Sequence, residues 1–448
     1  MSRKILLKGK ASIRGVVKPP GDKSISHRVA MLASIAQGAS TIEGFATSED
    51  CWSTIDCIRR LGITVEEQAD RLVIHGRGLT GYSPAAPSVS LDAGNSGSTI
   101  RMLSGLLAAQ PFTSMIDGDA SLRRRPMGRI IEPLTLMGAS IEAREGRFAP
   151  LTISGGSLTP IDYASRAASA QVKTCLLFAG LFANGVTTIR EPARSRNHTE
   201  LMLKEFGARF NAIDDGQGNA WSIEGGRELE SVDYRVPGDL SSASFFVAAA
   251  TILPDSDILI RNVNLNPTRA AFLQVLEQLG ANIQRDNVSI RHGEPVGDIC
   301  VKASDLGTGN DELILSGGII ANLIDEVPIL AVVGSQAKGR LQVREAGELR
   351  VKESDRIRTI VDGIRAMGGE IEEFEDGFSI AGPQRLSGGT IETAGDHRIA
   401  MAFAIAGLAA ESETLVLGAD SAAVSFPSFF ESLSSLTPEG SVVNISEE

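Results

Sequence analysis

The feature that most constrains this chain is a long repeat. An apolar strand signal with a short polar or glycine end occurs six times: Thr41-Ile42-Glu43-Gly44, Met115-Ile116-Asp117-Gly118, Thr188-Ile189-Arg190-Glu191, Leu259-Ile260-Arg261-Asn262, Gln342-Val343-Arg344-Glu345 and Leu415-Val416-Leu417-Gly418. The spacing is 71 to 83 residues, the size of a large supersecondary unit rather than a short solenoid repeat. A polar loop and a helical pattern follow each strand. Five of those helices run into Leu61-Gly62, Met137-Gly138, Phe206-Gly207, Leu279-Gly280 and Met367-Gly368, and glycine just past a helix is its usual stop. A second helix precedes each repeat strand, with a polar start and an apolar body such as Met102 to Ala109 or Ile399 to Ala409. Such bodies read as helices buried on all sides. The unit is helix, strand, helix, strand, strand, and the sixth copy, from Phe426 onward, is degenerate.

Six units of this size exceed one core. Three and three is the natural division, with the chain passing between halves near Val236-Pro237-Gly238-Asp239. The expected halves are residues 21–238 and residues 1–20 with 239–448. A cleft between similar halves would collect the polar helix starts, where small-molecule sites tend to lie.

The net charge of −12 argues against a nucleic-acid binder, which needs a basic footprint. Aromatic content of 5% gives no platform for base stacking. No apolar run reaches the roughly 18 residues of a membrane span, and Met1 to Arg14 carries no signal-peptide core. Cys51, Cys57, Cys175 and Cys300 are scattered, as suits buried thiols in a reducing compartment. The five histidines have no metal-ligand spacing. The expectation is a cytoplasmic protein without metal, cofactor, membrane or nucleic-acid partner.

The helix starts carry the chemistry. Gly21-Asp22-Lys23-Ser24-Ile25-Ser26-His27-Arg28 places a cation, a hydroxyl and a guanidinium around free backbone N–H groups, with Asp22 or Ser24 as cap. That combination cradles a phosphate or carboxylate. In Arg123-Arg124-Arg125-Pro126 the three arginines cannot all face one way. Arg125 is the best anion ligand because the following proline restricts its backbone, and Pro126 fits a first helical turn. Lys352-Glu353-Ser354-Asp355-Arg356 is either a solvated cluster of charges or a carboxylate set by its neighbours for proton transfer. Asp325 is a candidate base or a helix cap. Arg398, leading an apolar helix, should be half-buried and need a partner, which a bound anion would supply. Arg196-Asn197-His198-Thr199 and Asn266-Pro267-Thr268-Arg269 occupy equivalent loops, with Thr199 or Asn266 as possible caps. Lys23, Arg28, Arg125, Arg196, Lys352, Arg356 and Arg398 together suit more than one anion. Neither a P-loop nor a dinucleotide fingerprint is present, so the phosphates belong to small metabolites.

These stretches resemble those of the 5-enolpyruvylshikimate-3-phosphate synthase family. The likeness is carried by Gly21–Arg28, Gly94–Ser98, Arg125-Pro126-Met127-Gly128, Ser169–Lys173, Arg196–Glu200, Asn266–Arg269, Asp325-Glu326-Val327-Pro328, Lys352–Arg356 and Asp396-His397-Arg398-Ile399-Ala400-Met401, in the family's order. Ser169-Ala170-Gln171, Arg196-x-His198-x-Glu200 and Asn266-x-Thr268-Arg269 look like its second class. The resemblance implies a two-domain inside-out α/β barrel with three repeats per domain, acting as a monomer. It implies transfer of the enolpyruvyl group of phosphoenolpyruvate to the 5-hydroxyl of shikimate 3-phosphate. Lys23, Ser24, Arg28, Ser169, Ala170, Gln171, Arg196, Asp325 and Lys352 would hold shikimate 3-phosphate. Lys23, Gly97, Arg125, Gln171, Arg356 and Arg398 would hold phosphoenolpyruvate. Asp325, Glu353 and Lys23 would move protons.

Two positions depart from or qualify the pattern. First-class members carry a lysine before Thr-Phe-Pro near the C-terminus, where this chain reads Ala423-Val424-Ser425-Phe426-Pro427. Gly97 stands where glyphosate-tolerant second-class enzymes have alanine, which implies sensitivity to that inhibitor. The alternatives are the sister enzyme acting on UDP-N-acetylglucosamine and a non-catalytic small-anion-binding module. The first typically has a cysteine in the loop spanning Asp119 to Pro126, and this loop has none. The second is disfavoured by carboxylates among the cations.

Overall fold

The computed structural model describes residues 3–213 and 219–445. Among the described residues the strands form six sheets, each built around one of the six repeat strands. In the second repeat, Thr113–Asp117 pairs parallel with Ser88–Asp92 and antiparallel with Phe148–Ser154, which pairs in turn with Ser140–Arg144. The strand before each buried helix is absent from the sequence-based unit. Ser88–Asp92, Asp162–Ala164, Gly307–Leu315 and Gly389–Glu392 supply it, each parallel to its repeat strand. Three of them are short, partly exposed edge strands, so their hydrophobic pattern is weak. Two sheets draw this strand from elsewhere in the chain. Ala36–Glu43 takes Leu229–Glu230 and Tyr234–Arg235, and Asp257–Asn264 takes Arg14–Val17.

The chain divides into two compact units. One comprises Gly21–Val236 with Arg291–Glu294; the other comprises Met1–Pro20, Pro237–Ile290 and Pro295–Glu448. In the first unit, helices Lys23–Ile35, Gly97–Leu107 and Ala170–Gly180 form the centre, and their bodies are buried almost without interruption. Gly105 lies directly against the next helix: a Cβ there would fall 2.1 Å from the Cys175 carbonyl oxygen. In the second unit the same role falls to Leu240–Ile252, Val327–Gln336 and His397–Ala409. The amphipathic helices and the sheets lie around them. This reverses the usual α/β order, in which helices cover a central sheet, and it explains why the central helices are apolar on every side. A ring cluster of Phe245, Phe246, Phe426, Phe429 and Phe430 fills part of the second unit's core. Phe426 of the Ser-Phe-Pro stretch is therefore a packing residue.

The punctuation expected from sequence is present. Gly62, Gly138, Gly207, Gly280 and Gly368 all take φ between 76° and 100°, the conformation that terminates a helix with least strain in glycine. Asp22, Ser96, Ser169, Asp239 and Asp396 cap five central helices through their side chains. The fifth helix in chain order opens on Glu326-Val327-Pro328, with proline in its first turn. Asp325 is therefore outside the helix. Thr199 and Asn266 are not caps either. Thr199 lies inside helix His198–Glu205, and Asn266 closes a turn onto the Thr268 N–H ahead of the helix Ala271–Gln278. Pro126 precedes its helix, which begins at Gly128. Among the described residues no helix is long and apolar enough to cross a membrane.

Candidate active site

In the first unit the three central helices present their N-terminal turns to one another. Arg28 is 3% exposed and joins two of them. Its Nε donates to Thr199 Oγ1 (2.7 Å), Nη1 to the Ser24 carbonyl (2.9 Å) and Nη2 to Thr174 Oγ1 (3.0 Å) and the Ala170 carbonyl (3.3 Å). Arg196 Nη1 reaches Ser24 Oγ at 3.4 Å. Lys23 Nζ lies 2.8 Å from Asp50 Oδ2. Ser24, Arg28, Ala170 and Arg196 thus share one neighbourhood, with Lys23 beside them on the same first turn.

Gln171 belongs to an adjoining group. Its Nε2 donates to Ser98 Oγ (3.0 Å) and its Oε1 accepts from Arg101 Nη1 (3.0 Å). Arg101 also donates to the carbonyls of Gly97 and Pro126. Arg125 is buried, and its Nη2 donates to Asn95 Oδ1 (2.6 Å) and Ser121 Oγ (3.2 Å). A Cβ on Gly97 would lie 2.6 Å from Arg101 Nη1 and 3.4 Å from Arg125 Nη1, so the glycine keeps two guanidinium groups close to a helix start. Of the three consecutive arginines, Arg125 turns inward while Arg123 and Arg124 are exposed, Arg123 pairing with Asp117.

A buried polar chain supports these turns from beneath. His27 Nδ1 meets Thr54 Oγ1 (2.7 Å), Thr54 meets Thr99 (2.7 Å), and Thr99 donates to Ser96 Oγ (2.8 Å). Burial, and then the Lys23 and Arg28 cations, hold His27 well below the usual histidine range, so it is neutral at physiological pH and serves as a fixed strut.

The second unit gathers its own set. Arg356 is 1% exposed; its Nε donates to Asp396 Oδ2 (2.8 Å), its Nη2 to Glu353 Oε2 (2.5 Å), and its Nη1 stands 3.6 Å from Asp325 Oδ1. Burial opposes its charge, but Asp396 and Glu353, then Asp325, outweigh that and raise its pKa above the ordinary arginine value. Asp325 also faces buried Arg269 at 3.9 Å, and Arg269 donates to Asp239 at 3.2 Å. Arg398 is buried with its Nη1 on Ser241 Oγ, and that hydroxyl bonds Glu326. Its backbone N–H bonds Asp396 Oδ1 at 2.9 Å. Lys352 is half-buried. Burial lowers its ammonium below the usual lysine value, with Asp325 and Glu348 opposing.

The site residues expected from sequence therefore fall into two groups. Lys23, Ser24, Arg28, Gly97, Arg125, Ser169, Ala170, Gln171 and Arg196 lie in one unit; Asp325, Lys352, Glu353, Arg356 and Arg398 lie in the other. What sequence reading missed is the partners. The cations are not bare: Asp50, Asp396, Glu353 and Ser241 already engage Lys23, Arg356 and Arg398. Arg398 finds a hydroxyl partner, Ser241, within the protein. Arg101 also escaped notice, although it lies one turn into a helix with a polar start, the one signal that could have found it; Arg269 and Asp239 lie in stretches the sequence singled out, but neither was assigned a role.

The model of the family described as EPSP synthase (3-phosphoshikimate 1-carboxyvinyltransferase) matches residues 7–433. A 3-phosphoshikimate 1-carboxyvinyltransferase of Solibacter usitatus is 50% identical over 423 residues, 94% of this chain and 97% of the relative. One from Koribacter versatilis is 48% identical over 423 residues, 94% of this chain and 96% of the relative. The 2.37 Å structure of EPSP synthase from Acinetobacter baumannii superposes with a TM-score of 0.86 at 38% identity, covering 100% of both chains.

Proposed function

The chain belongs to the EPSP synthase family, and from that premise we propose how its residues perform the reaction. The enolpyruvyl group of phosphoenolpyruvate passes to the 5-hydroxyl of shikimate 3-phosphate, and inorganic phosphate leaves. The observation that carries the residue assignment is that the family's motif residues are the ones clustered at the central helix starts of each unit.

Lys23, Ser24, Arg28, Ser169, Ala170, Gln171, Arg196, Asp325 and Lys352 hold shikimate 3-phosphate. The linked group of Ser24, Arg28, Ala170 and Arg196 supports this, because it offers hydroxyl and guanidinium donors beside a helix N-terminus. Lys23, Gly97, Arg125, Gln171, Arg356 and Arg398 hold phosphoenolpyruvate. Arg125 and Arg356 arrive oriented by Asn95 and Asp396, so less rotamer freedom is lost on binding.

The chemistry has two stages. The methylene carbon of phosphoenolpyruvate gains a proton while the 5-hydroxyl oxygen attacks C2 and loses its own proton. The tetrahedral intermediate then loses a methyl proton and expels phosphate. Asp325 is the base for the hydroxyl. It lies outside its helix, partly exposed, with the Arg269 and Arg356 guanidinium groups on two sides. Glu353 and Lys23 exchange the proton at the enol carbon. The arginines stabilise charge on the departing phosphate. The protein acts as a monomer. Four free cysteines suit a reducing cytoplasm. Small-molecule substrates are its partners.

Phosphate release from phosphoenolpyruvate, followed with and without shikimate 3-phosphate, tests this reading. Release that depends on shikimate 3-phosphate is expected. Equal release without it would refute the reaction.

A further inference from the structure

Three charged side chains are buried together in the first unit and belong to none of the roles above. Lys173 Nζ lies 2.9 Å from Glu191 Oε2 and 2.7 Å from Glu200 Oε1, 4.1 Å above the Trp221 ring. Lys173 is 1% exposed, and both glutamates are almost fully buried. Buried ions of this kind are often no more stabilising than apolar residues of the same shape. The geometry suggests another use. Glu191 Oε1 accepts the backbone N–H of Ser169 at 2.9 Å, and both Glu191 carboxylate oxygens lie 2.8 Å from Ser195 Oγ. Ser169 opens the helix that carries Ala170 and Gln171, and Ser195 immediately precedes Arg196. Lys173 sits one turn into the first of these helices. Glu200 sits in the helix whose Thr199 receives Arg28.

We propose that Glu191, fixed by Lys173, is a positioning residue that pins the Ser169 turn and the Arg196 loop in register for shikimate 3-phosphate. The carboxylate touches neither substrate. It holds two substrate-binding segments by one acceptor group, and the lysine sets that acceptor's place from the interior. This rests on the assignment of Ser169 and Arg196 to shikimate 3-phosphate made above.

The test separates reach from charge. Glu191→Gln keeps the acceptor's reach to the Ser169 N–H and loses the ion pair. Glu191→Asp keeps the charge and shortens the reach. Binding of shikimate 3-phosphate is measured calorimetrically, with KM for each substrate and thermal midpoints alongside. Glu191→Asp is expected to weaken shikimate 3-phosphate binding about tenfold, the effect of one charge-assisted hydrogen bond. Glu191→Gln should melt lower yet bind within twofold of the parent. In both, KM for phosphoenolpyruvate at saturating shikimate 3-phosphate should stay within twofold. A merely structural role predicts that affinity follows melting temperature, with Glu191→Gln the worse binder; that order, or unchanged affinity in Glu191→Asp, overturns the proposal. Ser195→Ala is a milder second variant, expected to weaken binding about threefold; no change there also counts against pinning. Ser169→Ala serves as the control. If it leaves affinity intact, the substrate assignment fails and this inference with it. If it weakens binding while Glu191→Asp does not, only this inference fails.

Discussion

Gly97→Ala perturbs the candidate site through one methyl group. Gly97 begins a helix with an ordinary negative φ, so the backbone accepts alanine without strain, and helix propensity shifts slightly in its favour. The added Cβ falls 2.6 Å from Arg101 Nη1 and 3.4 Å from Arg125 Nη1. The second distance is tolerable; the first is not. Arg101 Nη1 must retreat by about 0.8 Å to regain a 3.4 Å contact. That nitrogen donates to Gln171 Oε1 at 3.0 Å, and a retreat of that size along the bond takes the pair past hydrogen-bonding range. A hydrogen bond to a charged group contributes about 1.5–3 kcal/mol when buried. Arg101 is half-buried and can re-form part of its bonding in water, so about 1 kcal/mol remains, roughly a fivefold change. The expectation is a KM for phosphoenolpyruvate about fivefold higher, a smaller loss of shikimate 3-phosphate affinity because Gln171 serves both substrates, and a thermal midpoint no lower. Glyphosate inhibition should weaken more than phosphoenolpyruvate binding, because the methyl occupies space the inhibitor needs. Steady-state kinetics with both substrates and the inhibitor would read all three. Unchanged KM together with unchanged inhibition would refute the steric chain from Gly97 through Arg101 to Gln171.

Asp325→Ala should weaken shikimate 3-phosphate binding by about the fivefold of one lost hydrogen bond, while turnover falls about 10²- to 10⁴-fold, the range for a lost general base; near-normal phosphate release would remove Asp325 from the proton path. Lys352 gives a pH signature. Its folded-state pKa lies below the unfolded 10.5, chiefly through burial, so the folded state holds this proton less tightly than the unfolded chain. Its unfavourable contribution to stability is therefore present at neutral pH and fades as pH rises from the folded pKa toward 10.5. Function runs the other way: the ammonium, and with it shikimate 3-phosphate affinity, is lost at a pH below 10.5. Lys352→Arg stays charged and should push that alkaline limb upward; a limb that does not move assigns it to another group.

The repeat was legible because every unit buries the same kind of helix. A body such as Phe245 to Leu253 has no polar face to present, and its polar start and glycine-stopped neighbour recur on a fixed period. The parallel edge strands were not legible: Asp162–Ala164 is three residues long and its pairing with Thr188 to Arg190 leaves little hydrophobic pattern. The cations were found because helix starts announce themselves in sequence. Most of their pairings were not, because the partner lies on another element of the chain. Asp396 is 40 residues from Arg356, and Ala170 is 142 from Arg28; no local pattern connects such pairs. Nothing in the sequence signals that two of the seven cations, Lys23 and Arg356, also meet carboxylates of the protein itself. Thr199 shows the same effect, drawn into the Arg28 and Thr174 network rather than capping its helix.

The strand Lys4–Leu7 has a consequence for synthesis on the ribosome. Among the described residues it pairs with Thr414–Leu417 and Val442–Ile445 alone. Its partners emerge more than 400 residues after it. At translation rates of about 5–20 residues per second, that delay is on the order of 20–80 s. Arg14–Val17 waits a shorter time, for Asp257–Asn264. The sheet around Thr113–Asp117, by contrast, draws all its strands from one stretch of chain, 88–154, and can close early. Lys4–Leu7 thus waits longer than Arg14–Val17 with unpaired backbone edges, and a nascent-chain chaperone would act on its sheet after the local sheets have closed.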